Sequence, residues 1–136
     1  MHVAVYGSLK RGFHNHQHYM DPRGFRFVGI FLSVPKFHMV SMGRYPAVVK
    51  DHEMHHIRAE VYEVLDEAYL SQIDRLEGHP NWYKRETVTF CKENHLYGSD
   101  TIVDAEMYML SSPPDFIRYN NVRITRDVAE WVRTHD

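Results

Sequence analysis

The sequence predicts a small mixed α+β domain in which strands outnumber helices and pair mostly antiparallel. Three observations carry that reading. Short runs rich in Val, Ile, Phe and Tyr recur between clusters of Gly, Pro, Asn and Asp, giving roughly six or seven strands. Only two stretches carry helical start and stop signals. Strands and helices do not alternate regularly, which favours an antiparallel sheet, curled or closed, with a few packed helices over a doubly wound parallel sheet. The chain has 136 residues, the usual size of one domain, so residues 1–136 are expected to form one unit around one core.

The elements follow in order. Val3 to Tyr6 reads as a strand that breaks at Gly7, and Phe25 to Ser33 as a second, with Gly29 marking a bulge or a close approach. Lys36 to Val40, Ala47 to Lys50, Ile57 to Val64, Glu86 to Lys92 and Thr101 to Leu110 complete the strand candidates. A helix is expected from Asp66 to Glu77, with Leu65, Tyr69, Ile73 and Leu76 on one core-facing stripe. Gly78 stops it and Pro80 blocks its continuation. A second helix is expected from Thr125 to Thr134, where Val128, Trp131 and Val132 stand at helical spacing as core or as the face of a homodimer.

Charge and cysteine content narrow the function classes. Sixteen Lys and Arg against eighteen Asp and Glu, without long runs of one sign, give no footprint for nucleic acid or an anionic membrane. Met1-His2 runs straight into the first strand, so neither a signal peptide nor a spanning helix is expected, and the expected address is cytoplasmic. Cys91 is the single cysteine, which fits a reducing compartment.

Two segments carry chemistry. The first is Tyr6-Gly7-Ser8-Leu9-Lys10-Arg11-Gly12. A strand that breaks at a glycine can turn its next amides outward as a concave nest suited to a carboxylate, although the same residues also make an ordinary turn. Neither nucleotide-binding glycine spacing occurs, and no Gly-x-Ser-x-Gly elbow surrounds Ser8, whose hydroxyl is expected to orient a ligand or cap the turn.

The second is Leu76-Glu77-Gly78-His79-Pro80-Asn81-Trp82-Tyr83-Lys84-Arg85. At about 100° per residue, Glu77 falls on the flank of the apolar stripe, between Ile73 and Leu70, while Asp74 points to the opposite side. A glutamate in a last helical turn is ordinarily a solvated surface group. Partial burial and the negative end of the helix dipole would both raise its pKa, which suits a general base and acid. The aromatic turn after it must pack on the core or on a ligand; Trp82 is expected on the core, and the phenol of Tyr83 suits a polar pocket equally.

The eleven histidines raise a metal reading. His14, His16 and His18 alternate, and His52, His55 and His56 cluster beside Glu53. Without cysteine partners or a His-Glu-x-x-His helix, solvated loops are the better reading, and no metal is expected. Lys10, Arg11, Arg23 and Arg26 are likewise expected to be solvated rather than to form a basic patch.

In combination these segments resemble the gamma-glutamylcyclotransferase-like family, and within it the gamma-glutamylamine cyclotransferase branch. The similarity rests on the Tyr6 to Gly12 run followed by Asn15-His16, on Tyr45-Pro46-Ala47-Val48, on Glu60-Val61-Tyr62-Glu63-Val64, and on Leu76-Glu77-Gly78 with Tyr83 and Arg85 downstream. It spans about Val3 to Thr89 in the right order, whereas Asp115 to Asp136 matches less well; Tyr119-Asn120 resembles a pair in some relatives. The resemblance implies a curled, largely antiparallel β-barrel with the ligand cavity between the glycine loop and the glutamate. It implies closure of a γ-glutamyl group to 5-oxoproline with release of the amine, Glu77 as base and acid, and no cofactor. Tyr6, Gly7, Ser8, Leu9 and Tyr83 would bind substrate, with Arg85, Tyr45 and Tyr119 in support and His16 as a structural hydrogen-bonding residue. Lys10-Arg11-Gly12 differs from the glutathione-directed branch, which favours a γ-glutamyl amine, amino acid or isopeptide as substrate. The competing readings are a non-catalytic binding or regulatory module on the same fold, or a lyase or acyltransferase acting on another amine conjugate.

Overall fold

The computed structural model describes residues 1–50, 55–93, 102–112, 114 and 117–133. The order among them is β1 (His2–Val5), α1 (His16–Tyr19), β2 (Phe25–Ser33), β3 (Phe37–Ser41), β4 (Pro46–Lys50), β5 (His56–Val64), α2 (Glu67–Glu77), β6 (Tyr83–Lys92), β7 (Ile102–Leu110), β8 (Val122–Thr125) and β9 (Val128–Trp131). Five strands close into a barrel in the order β1-β7-β6-β2-β5, with β5 returning to β1. Every pairing in the ring is antiparallel except β1 with β7. This is the expected α+β class with its curled, mostly antiparallel sheet. Gly29 sits at a bulge, where the β2–β5 register shifts between Phe27 and Gly29; a bulge adds local twist, which closure of so small a barrel requires.

Alternation along the strands explains the two-sided packing. Ala4 and Tyr6, Ile57, Ala59 and Val61, Val88 and Phe90, and Ala105, Met107 and Met109 belong to one buried cluster. Neighbouring residues of opposite parity, Val3, Val5, Tyr62, Tyr83 and Tyr108, join Leu70 and Ile73 of α2 in a second. Successive strand residues point to opposite faces, so one face fills the barrel and the other receives the helix. The β3–β4 hairpin contributes to both clusters.

The ends of α2 are built by the residues that predicted them. Asp66 caps the N-terminus by accepting from the Ala68 amide at 2.9 Å, and Gly78 ends the helix at φ 65°. The stripe is narrower than its spacing suggested, since Leu70 and Ile73 are buried while Leu65 and Leu76 are 52% and 39% exposed. Leu65 precedes the helix: its amide donates to Gly24 O at 2.8 Å, so it leaves the helical wheel. Gly24 is needed at that docking point. A Cβ there would lie 2.4 Å from Tyr69 Cγ.

The second helix is overturned. Val122–Thr125 and Val128–Trp131 form a hairpin whose last strand runs parallel to β5. Arg126 and Asp127 turn it with φ of 50° and 65°, the left-handed pair of a two-residue hairpin loop. Ala129 and Trp131, two apart, are the buried positions. The spacing of Val128, Trp131 and Val132 thus imitated a helix over a segment whose working period is two; Thr134 lies outside the described residues. Strand β6 also starts earlier than expected, at Tyr83, and the single turn α1 was not foreseen.

Gly24→Ala is expected to lower unfolding free energy by about 2 kcal/mol in urea denaturation, because Tyr69 must move from the clash. Combined with Tyr69→Ala, the loss should fall clearly short of the sum of the two single losses.

Candidate active site

β1 delivers Tyr6 to one end of the barrel, where its hydroxyl donates to Tyr108 O at 2.6 Å. The chain then turns as the glycine loop. Gly7 has no room for a side chain, since a Cβ would meet the ring of Pro46 at 2.8 Å. Lys10 N–H closes the turn on Gly7 O at 3.0 Å, and Asn15 N–H donates to Ser8 O at 3.1 Å. Asn15 Nδ2 donates to Ser8 Oγ and His16 Nδ1 meets Leu9 O, both at 2.9 Å. The amides of Gly7, Ser8 and Leu9 are left without an acceptor among the described residues.

Two charged side chains that the sequence did not single out as buried hold this loop. Lys10 is buried, with Nζ donating to Trp131 O at 2.7 Å. Burial depresses its pKa, against the pull of Glu130 and Glu60. This corrects the expectation of a solvated Lys10. Glu60, also buried, accepts from Arg11 N–H and from Tyr62 Oη, each at 2.9 Å. The other expected surface cations do pair at the surface, Arg23 with Asp21 and Arg26 with Glu63.

Glu77, in the last turn of α2, faces the loop across a cavity of about 920 Å³. Tyr6, Gly7, Ser8, Leu9, Tyr45, Glu77 and Tyr83 all line it. Among the described residues its carboxylate has no hydrogen bond and no ion pair, and burial pushes its pKa up to about 7. The negative end of α2 acts in the same direction. Three phenols form the walls around it. Tyr83 Oη donates to Pro46 O at 2.9 Å, Tyr108 Oη donates to Asp74 Oδ1 at 2.6 Å, and Tyr6 is already engaged. Burial raises the pKa of all three, and nearby Glu77 adds to it.

Arg85 and Tyr119 do not line the cavity. Arg85 is spent behind it, bonded to Asp74 Oδ1 at 2.7 Å and Glu106 Oε1 at 3.0 Å. Asp74 therefore faces the barrel rather than solvent. Burial disfavours its anion, but the bonds from Arg85 and Tyr108 outweigh that and hold its pKa below the ordinary value. Tyr119 is 47% exposed and meets His38 Nε2 at 2.7 Å. Trp82 is another correction: it is 55% exposed at the cavity mouth instead of packed in the core. Of the histidines, His16 braces the loop and His56 Nδ1 meets Ser33 O at 2.7 Å, while His52 and Glu53 lie outside the described residues.

Tyr108, Lys10 and Trp131 are the site residues that sequence reasoning missed. Tyr108 had one signal, a polar-tipped residue in the apolar run from Met107 to Leu110 that ends its strand. Lys10 had none, because its acceptor lies 121 residues away.

A barrel end that combines a ligand-sized cavity, a glycine-broken loop with open amides and, among the described residues, one unpaired, half-buried carboxylate has the features of a small-molecule site with a group suited to proton transfer. The family model described as "Gamma-glutamyl cyclotransferase, AIG2-like" matches residues 3–131, and the chain belongs to that family. It is 43% identical over 88 residues to a "Putative gamma-glutamylcyclotransferase" of Methanocaldococcus jannaschii, covering 65% of this chain and 70% of the relative. It is 37% identical over 89 residues to the gamma-glutamylaminecyclotransferase of Rattus norvegicus, covering 62% and 59%. An AIG2-like protein from Mus musculus superimposes with a TM-score of 0.72 at 29% identity, over 87% of this chain and 84% of that one. No helix among the described residues is long and apolar enough to cross a membrane.

The raised pKa has a consequence for stability. The folded Glu77 carboxyl keeps its proton to about pH 7, whereas the unfolded one releases it near 4.5. Folding is therefore penalised progressively as pH rises from about 4.5 to 7, and constantly above. Glu77→Gln removes that penalty. Its melting temperature should exceed that of the wild type by a few degrees at pH 8, and the gap should close at pH 4.

Proposed function

We propose that this chain cyclises a γ-glutamyl group to 5-oxoproline, releasing the amine once joined to the γ-carboxyl. The observation that carries the reading is the shared cavity: Glu77, with its pKa near 7, lines the same space as Gly7, Ser8 and Leu9, whose amides have no acceptor among the described residues. The name of the rat relative points to γ-glutamyl amines.

The chemistry is an internal aminolysis. Glu77 takes a proton from the α-ammonium, and the freed nitrogen attacks the γ-amide carbonyl, forming the ring C–N bond and a tetrahedral oxyanion. Collapse breaks the bond to the departing amine, whose nitrogen receives the proton from Glu77, and the ring nitrogen gives up its second proton by way of the same carboxylate, so that a neutral lactam and an ammonium are released. No water or electron pair from outside is consumed. A group with a pKa near 7 serves both transfers, since it neither holds nor sheds its proton too strongly at neutral pH. Closure of a five-membered ring also needs the substrate held folded, and orientation of that kind is worth roughly 7 kcal/mol or more. In this reading the loop amides hold the substrate's α-carboxylate or the oxyanion. Tyr83 and Tyr6 wall the pocket; Tyr45 stands at its mouth.

Wild type and Glu77→Gln should be incubated with γ-glutamyl amines and γ-glutamyl amino acids, with 5-oxoproline followed by mass spectrometry. The wild type should form product with kcat/KM rising through about pH 7 as Glu77 ionises. Glu77→Gln should lose about 10²- to 10⁴-fold in kcat together with that pH limb. Product formation that survives the substitution undiminished would refute the role of Glu77; no product from any conjugate would favour a binding module.

A further inference from the structure

We propose that the mouth of this cavity is a subsite for the departing amine and that it selects γ-glutamyl conjugates of apolar or aromatic α-amino acids. The proposal rests on the cyclotransferase reading and specifies its substrate class. A volume of about 920 Å³ is near the upper end of the roughly 300–1,000 Å³ typical of ligand pockets, and a glutamyl unit alone would leave much of it unfilled.

The remaining space has a defined lining. Tyr45, Leu76 and Trp82 all border the cavity, yet they are 38%, 39% and 55% exposed. Large apolar side chains gathered at the rim of a pocket mark a contact surface. They come from three separate pieces of chain, the β3–β4 loop, the end of α2 and the turn before β6, and their backbones are tied down. Met42 N–H donates to Tyr45 O at 2.8 Å, Trp82 N–H to Gly78 O at 2.9 Å, and Ser111 N–H to Trp82 O at 2.9 Å. The rim is preformed.

Charge gives the second half of the selection. Glu77 is the one carboxylate among the described lining residues, whereas Arg44 and Arg133 both border the cavity. Arg44 is adjacent to Tyr45 and exposed. An α-amino acid presents its side chain and carboxylate from one carbon, matching an aromatic surface beside a guanidinium. A conjugated diamine would instead bring an ammonium towards Arg44, and like charges repel.

The test compares kcat/KM for four conjugates: γ-glutamylphenylalanine, its C-terminal amide, γ-glutamylglycine and γ-glutamylcadaverine. The phenylalanine conjugate should exceed the glycine conjugate about tenfold, the scale of discrimination by an apolar contact, and the cadaverine conjugate should be the poorest. Trp82→Ala should bring the phenylalanine-to-glycine ratio towards one, and Arg44→Gln should do the same for the acid-to-amide ratio. A cadaverine conjugate as good as the phenylalanine one, or variants that lower all four in equal proportion, would overturn the subsite. If none of the four yields 5-oxoproline, the cyclotransferase reading fails separately, and calorimetric binding of the same four ligands to wild type and both variants decides the subsite by the same ratios.

Discussion

The buried carboxylate of Glu60 is the constraint on which the site depends. It stands on β5, on the same strand face as Tyr62, and is buried, and a buried anion is tolerated only where donors meet it. Here Arg11 N–H, Arg11 Nε and Tyr62 Oη supply them. Two of the three come from the glycine loop, so satisfying Glu60 and folding that loop are one event. Lys10 fixes the other side by reaching Trp131 O, which ties the loop to β9 as well. With its other side chains and its carbonyls committed in this way, the loop has its leading amides and the Ser8 hydroxyl hydrogen left to offer.

Glu77 is the opposite case. Asp74, about one turn earlier on α2, collects Arg85 and Tyr108 and is stabilised as an anion. Those same bonds exhaust the nearby cation: Arg85, only 16% exposed at its side chain, is shared between Asp74 and Glu106. Among the described residues no cation bonds to Glu77, and its burial raises its proton affinity. The two carboxylates thus differ by which of them reaches the arginine.

Much of this was legible in the chain and some of it was not, for physical reasons. The limits of α2 follow from local chemistry, an Asp66 cap and a left-handed Gly78, and local chemistry is what a sequence displays. The strands with period-two burial were visible for the same reason. The hairpin at Val122–Trp131 was not, because its strand identity comes from pairing with β5, far away in sequence, while its apolar spacing also fits a helix. Lys10 reads as a solvated cation until the carbonyl of Trp131 is brought to it. Arg85 shares a strand face with Tyr83, but only the fold reveals that one faces the cavity and the other the underside of α2.

The arrangement of hydrogens in the walls constrains how a γ-glutamyl substrate would sit. Tyr6, Tyr83 and Tyr108 each donate their hydroxyl hydrogen to a protein oxygen, Tyr108 O, Pro46 O and Asp74 Oδ1 in turn. Towards the cavity they can offer lone pairs and ring faces, which suit an ammonium and exclude an anion. The uncommitted donors of the inner wall lie on the other side, in the loop amides and the Ser8 hydroxyl. A substrate with both an α-ammonium and an α-carboxylate then has one favourable orientation, its ammonium turned to the phenols and Glu77 and its oxygens to the loop. That orientation would put the substrate nitrogen beside the one carboxylate in the described lining, so the polarity of the cavity and the proposed direction of proton transfer would have the same origin.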